Sequence, residues 1–215
     1  MYLPEHFAQT DIAALHDIIA SHPFGSLITH DSGGLDANHL PFELLRNAGE
    51  LGVLNAHIAR RNPLREQVKD GAEVLVTFRA ADAYVSPNYY PSKQLTQRQV
   101  PTWNYMVVHA HGRIRFIDDE KFLRAVVGRL TRTHEASQPA PWKMADAPAE
   151  YLQDLLQNIV GVQVDITRLL GKNKLGQDEQ LIDMQGAGQA LARGVCGASQ
   201  AIGGAMLELA RLRES

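Results

Sequence analysis

The sequence predicts a mainly β fold of the α+β class, a small barrel with peripheral helices. Short β-like runs separated by turn signals point to it, as do helical patterns inserted between hairpins. The regular strand-helix alternation that a doubly wound parallel sheet requires is missing. No internal repeat or low-complexity segment suggests another plan.

Asp11 can cap a first helix running to about Ser21, because Ile12, Leu15, Ile18 and Ile19 recur at helical spacing and Pro23 stops the run. Three β-like runs follow, 24–30, 35–45 and 51–57, separated by Asp31-Ser32-Gly33-Gly34 and Asn47-Ala48-Gly49-Glu50. Tight turns between such runs predict an antiparallel meander. Asn62-Pro63 reads as the cap and first residue of a short helix ending near Gly71. Strands are expected at 73–79, 83–86 and 105–117.

Asp118 or Asp119 then caps a helix whose Phe122, Leu123, Val126, Val127 and Leu130 form one apolar stripe. Lys121, Arg124 and Arg129 form its expected solvated face. Pro139, Pro141 and Pro148 predict an irregular connection before a helix at 149–157 and a strand at 159–169. From Glu179 onward the Ala- and Gly-rich tail reads as helical in pieces.

The 215 residues carry 21 Lys plus Arg against 24 Asp plus Glu, a formal net charge of −3, and are 45% hydrophobic. A chain this long buries roughly 70% of its unfolded surface, enough for a core without disulfide or metal. Cys196 is the only cysteine, which excludes an intramolecular disulfide framework and zinc sites with two or more thiolates. A reducing cytoplasm is the expected location. The segment MYLPEHFAQTD lacks a basic n-region and apolar run, and no window of roughly 18 apolar residues occurs, so neither secretion nor a membrane is expected. Near-balanced charge and the lack of a helix-turn-helix argue against strong direct attraction to nucleic acid.

Two segments have chemical potential. Arg60 and Arg61 stand at a strand end just before a helix start, where guanidinium donors and unpaired amides can hold a phosphate. From spacing alone, two plain surface charges beside a turn are the simpler reading. Tyr84, Tyr89, Tyr90, Trp103 and Tyr105 crowd one stretch with Ser, Thr and Asn donors, which suits a flat heteroaromatic ligand or a rigid loop packed on the barrel or a second subunit.

Other candidates are weaker. His109 and His111 share a strand face without a carboxylate or thiolate at ligand spacing, so no metal site is expected. His134 sits where a helix C-terminus favours imidazole, which accounts for it without catalysis. Gly186-Ala187-Gly188 is half a dinucleotide fingerprint, lacking the third glycine and a leading strand. No phosphate loop, nucleophile elbow or HExxH is present, so hydrolase and nucleotide-triphosphatase readings lack support.

Several blocks together carry a family resemblance: MYLPEHF (1–7), NHLPF (38–42), AHIARRNP (56–63), AYVSPNYYPSK (83–93), VPTWNY (100–105), VHAHG (108–112) and IVGVQVDIT (159–167). In that order they resemble the PaiB-type family of FMN-binding negative transcriptional regulators. The resemblance implies a split β-barrel of the pyridoxamine-phosphate-oxidase type, a homodimer, and FMN in clefts between subunits. It implies an FMN-binding barrel domain with inserted helices over 1–170 and a helical tail over 171–215 packed on the barrel.

By the same analogy Arg60 and Arg61 would hold the FMN phosphate. Asn38, His39 and Leu40 would run along the isoalloxazine edge, with Asn55 and His57 near the ribityl chain or ring. Thr102, Trp103 and Asn104 would approach from the partner subunit. Where relatives commonly read GKWKLSQN, this chain has Gly171-Lys172-Asn173-Lys174-Leu175-Gly176-Gln177-Asp178, losing an aromatic and a hydroxyl and gaining an acid that would repel phosphate.

The function expected first is an FMN-binding dimeric negative regulator, with DNA a partner by resemblance only. An FMN-dependent oxidoreductase is the alternative, in which His39, His57 or Tyr105 could donate protons. A flavin-less dimeric binding module is the third reading, motivated by the altered segment.

Overall fold

The computed structural model describes residues 1–214. In chain order its elements are β1 (Ala8–Gln9), α1 (Ile12–Ser21), β2 (Phe24–Asp31), β3 (Gly34–Pro41), β4 (Glu43–Leu45), β5 (Val53–Ala59), α2 (Leu64–Gln67), β6 (Glu73–Val85), α3 (Lys93–Thr96), β7 (Thr102–Ile117), α4 (Glu120–Glu135), α5 (Ala149–Gln157), β8 (Ile159–Lys174), α6 (Leu181–Ala192) and α7 (Gly197–Glu214). They form two compact units. Residues 12–78 and 109–169 make a sheet unit, and residues 1–11, 79–108 and 170–214 make a tail unit.

In the sheet unit the strands run in the order β3-β2-β6-β7-β8-β5-β4. β2 and β3 form an antiparallel hairpin from Phe24↔Pro41 to Asp31↔Gly34, and β4 pairs antiparallel with β5. The expected meander is therefore wrong: β3 and β4 lie at opposite ends of the strand order. The break falls at Phe42. Its N–H donates to Pro23 O at 2.8 Å, and its ring is buried edge-on against Phe78 at 5.7 Å. An apolar anchor, not a tight turn, directs the chain there.

Alternation along the strands sends Leu27, Leu54, Ala56, Ile58, Val76, Ala110, Val162 and Val164 into the core. Each large apolar side chain so buried contributes roughly 1.5–3 kcal/mol. α1 and α5 form at their expected bounds. In α4 the cap is Asp119, whose Oδ1 accepts the Phe122 N–H at 2.7 Å, and Leu123, Val126 and Leu130 are buried. Arg129 is not merely solvated: its Nε pairs with Glu43. α2 is shorter than expected because Val68 leaves the helix as extended, buried chain.

Two strands expected at 73–79 and 83–86 are one, β6, carried through the weak strand formers Ala80, Ala81 and Asp82. β7 begins at Thr102, ahead of the expected Tyr105.

The tail unit has its own apolar cluster: Ala83, Val85, Tyr90, Leu175, Met184, Leu191, Ile202 and Met206. Its tail segment folds as two helices. The glycines that resemble half a dinucleotide motif serve packing instead. A Cβ at Gly186 would lie 2.6 Å from Pro91 Cδ, and one at Gly203 would lie 2.4 Å from Ala192 N and 2.6 Å from Gly188 O. Backbone meets backbone where α6 crosses α7.

Candidate functional site

The turn between β5 and α2 brings several expected residues together in the sheet unit. Asn62 organises it: its Oδ1 accepts the Leu64 N–H at 2.9 Å, and its Nδ2 donates to Asn38 Oδ1 at 2.8 Å. One side chain thus caps α2 and ties it to β3. Arg61 is exposed and makes no ion pair among the described residues. Its guanidinium is available to an anion, whereas the Asn38 amide already donates to Asp36 Oδ2 at 3.2 Å.

Arg60 is engaged otherwise. Its Nη1 and Nη2 each donate at 2.7 Å to a different oxygen of Asp118, its Nε donates at 2.6 Å to Gln157 O, and Nη2 also reaches Ile159 O at 3.1 Å. A guanidinium has five N–H donors, so a single one remains. Arg60 staples the end of β5 to the starts of β8 and α4, and Arg65 Nη1 adds a second cation 3.1 Å from Asp118.

The hydrogen bond from Arg60, followed by that from Arg65, holds the Asp118 carboxyl down from 3.8 to about 2. A depressed carboxyl stabilises the fold fully above its unfolded value of 3.8, and the contribution disappears as pH falls through about 2. Thermal melts should therefore fall more steeply across that window in the wild type than in Asp118→Asn. Coincident slopes would show that the pair adds nothing.

The other sheet-unit residues separate. His39 is exposed, with Nδ1 2.9 Å from Ser26 Oγ and its ring stacked near Phe24. Leu40 alternates into the core. Asn55 is buried, and its Oδ1 accepts from Gln163 Nε2 across the β5–β8 ladder at 2.9 Å. His57 makes none of these contacts. Its Nδ1 is buried without a hydrogen-bond partner, and burial lowers the imidazole pKa, keeping the ring neutral. His111 Nδ1 lies 3.2 Å from Arg168 Nη2, and no cluster of three metal-ligating side chains occurs among the described residues.

The tail unit holds Thr102, Trp103 and Asn104 on the start of β7. Asn104 is turned into the core, where its Nδ2 meets Met206 Sδ at 3.4 Å and its Oδ1 has no partner. Trp103 points the other way, 55% exposed, edge-on to Tyr84 at 6.0 Å. Trp103 and Tyr105 line a recess of about 300 Å³ closed on one side by the Arg79–Asp82 ion pair. Thr102 Oγ1 accepts from Lys174 Nζ at 2.5 Å.

Lys172 and Lys174, from the segment that departs from the family pattern, both face aromatic rings. Lys172 Nζ lies 5.4–5.7 Å from the ring centres of Tyr2, Phe7 and Tyr105. Burial lowers the Lys174 pKa while Asp178 opposes that shift, so the acid replacing the usual amide acts as a counter-charge for a half-buried lysine. Lys174, Asn62 and Asp118 went unnoticed as site residues in the sequence. Asn62 and Asp118 were legible only as helix caps, and Lys174 only as a lysine kept in a segment altered at three positions.

The fold is an antiparallel sheet with helices on the split-barrel plan. It is shared with the flavocytochrome Anf3 from Azotobacter vinelandii (TM-score 0.60, 13% identity, 81% of this chain and 73% of that one). It is shared too with an FAD and heme binding protein from Mycobacterium smegmatis (TM-score 0.53, 17% identity, 79% of this chain and 74% of that one). At such identities the likeness concerns the fold alone.

The family follows from the sequence: residues 1–168 match the profile described as "Putative FMN-binding domain", and the chain belongs to that family. An uncharacterized protein from Emericella nidulans is 34% identical over 213 residues, covering 83% of this chain and 85% of the relative. The protease synthase and sporulation protein PAI 2 of Bacillus subtilis is 25% identical over 183 residues, covering 85% of each. No helix among the described residues is long and apolar enough to cross a membrane.

Proposed function

We propose that the protein is an FMN-binding, dimeric, cytoplasmic negative regulator of the PaiB type. The match of residues 1–168 to an FMN-binding family carries this reading. The β5–α2 turn supports a phosphate there: Arg61 is exposed, has no carboxylate partner among the described residues, and stands one residue before the Asn62 cap. Arg61 would hold the phosphate, and Arg60 would fix the turn that presents it. Bound FMN would supply reversible electron acceptance.

Trp103, exposed on β7, offers a flat face to a second copy and its flavin. Repression without a basic face is best served by a protein or metabolite partner, since the net charge of −3 gives no general attraction for DNA.

FMN titration of the purified protein, with riboflavin as the phosphate-free control, tests the reading. FMN should bind tightly and riboflavin weakly, and sedimentation should give a dimer. Arg61→Ala should weaken FMN by roughly 1.5–3 kcal/mol, the value of a charge-assisted hydrogen bond, and leave riboflavin unchanged. Arg60→Ala should lower the melting temperature and affect FMN less. Equal losses of FMN affinity in both variants, with equal melting temperatures, would move the phosphate elsewhere.

A further inference from the structure

The segment that departs from the family pattern puts two lysines, Lys172 and Lys174, on one face of β8, because alternate residues of a strand share a face. Lys172 is 7% exposed and Lys174 is half-buried. Buried charges ordinarily sit against a charge of opposite sign. Neither lysine forms an ion pair among the described residues. Their acceptors are all neutral: Lys172 Nζ donates to Tyr2 O at 3.2 Å, and Lys174 Nζ donates to Thr102 Oγ1 at 2.5 Å and to Trp103 O at 3.0 Å.

An ammonium carries three N–H donors, so two are unspent on Lys172 and one on Lys174. Thr102 Oγ1 accepts from Lys174, which leaves its own hydrogen to donate. Burial lowers the Lys174 pKa and Lys172 lowers it further, while Asp178, Tyr105 and Glu179 oppose the shift without cancelling it. Positive charge is therefore in excess at this face. The hydrogen bond between Lys174 and Trp103 O is open to solvent, so Lys174 Nζ can be approached from solution.

Aromatic rings border the two ammonium groups. Lys172 Nζ lies 5.6 Å from the ring centre of Tyr2 and 5.4 Å from that of Tyr105, and Lys174 Nζ lies 5.9 Å from that of Phe7. Tyr2 is 84% exposed, a ring surface that a flat ligand would cover.

We propose that Lys172, Lys174 and Thr102 bind the carboxylate of an aromatic acid whose ring packs on Tyr2. The unspent ammonium donors select an anion. The charges of Asp178 and Glu179 select a single negative charge over the double charge of a phosphate, and the exposed tyrosine selects a ring. The site draws no residue from the Arg61 turn.

The test is calorimetric titration of the purified protein with 2-naphthoate, with and without saturating FMN, using 2-naphthol as the neutral probe and inorganic phosphate as the anion without a ring. A single saturable site is expected, binding 2-naphthoate about tenfold more tightly than either comparison probe, as a charge-assisted hydrogen bond requires. Lys174→Met keeps the apolar stem and should abolish that preference while FMN affinity and circular dichroism stay as in the wild type. Tyr2→Ala should weaken 2-naphthoate by roughly two- to tenfold and leave acetate unchanged.

No saturable binding of 2-naphthoate, or equal affinity for 2-naphthoate and 2-naphthol, would overturn the proposal, and neither result needs a variant. So would tighter binding of phosphate, an unaltered preference in folded Lys174→Met, or competition between FMN and 2-naphthoate. FMN binding is read separately in the same samples. Protein that binds 2-naphthoate but not FMN would refute the flavin reading and leave this site standing.

Discussion

Asp183→Ala is expected to unfold the aromatic segment 86–99 from α6 and to destabilise the tail unit by about 3–5 kcal/mol, since hydrogen bonds to a charged group contribute roughly 1.5–3 kcal/mol each. Asp183 is fully buried. Its carboxylate accepts from Ser92 N–H at 2.8 Å, Ser92 Oγ at 2.6 Å and Gln99 Nε2 at 3.2 Å. It is the internal anchor of the SPNYYPSK block. Truncation leaves Ser92 N–H and the Gln99 amide without that acceptor in a dry site. Hydrogen exchange should report it: fast exchange confined to 86–99 and the start of α6 is expected, with the sheet unit protected as before. Uniform loss of protection across the chain, or none, would refute the anchor.

Within the same segment Tyr90 is buried in the apolar cluster of the tail unit. Burial raises the Tyr90 phenol well above its ordinary pKa, and the charges of Glu179, Asp178 and Asp183 push it further in that direction. Tyr90 therefore stays neutral and serves as core.

Gly203→Val should be equally severe. The modest overpacking penalty of about 1–3 kcal/mol assumes that side chains can yield. Here the added atoms meet Ala192 N and Gly188 O, which are main chain, so the helices must separate and empty the cluster around Met206 and Ile202. A loss at or above the top of that range is expected, read as a lower denaturant midpoint. Gly204→Val is the control, because a Cβ there meets nothing within 4 Å. If both variants unfold at the same midpoint, the crossing is not tight.

Local chemistry made some of this legible before any coordinates. α1, α4 and α5 were readable because caps and apolar spacing act within a few residues. The meander was not, since the fate of β4 depends on Phe42 finding Phe78. Site residues divide the same way. The Arg60-Arg61 pair is visible in sequence, but the carboxylate that occupies Arg60 is Asp118, 58 positions on. Asn55 resembles a ligand contact until its partner Gln163, 108 positions away, is found. Strand alternation would have separated Trp103 from Asn104 had β7 been started at Thr102.

The tail unit is assembled from residues 1–11, 79–108 and 170–214, whereas the sheet unit draws on residues 12–78 and 109–169. During synthesis the sheet unit can close first, while Tyr90, Val85 and the SPNYYPSK block wait for α6 and α7. At roughly 5–20 residues per second the wait lasts several seconds, with aromatic chain open to the solvent and to chaperones.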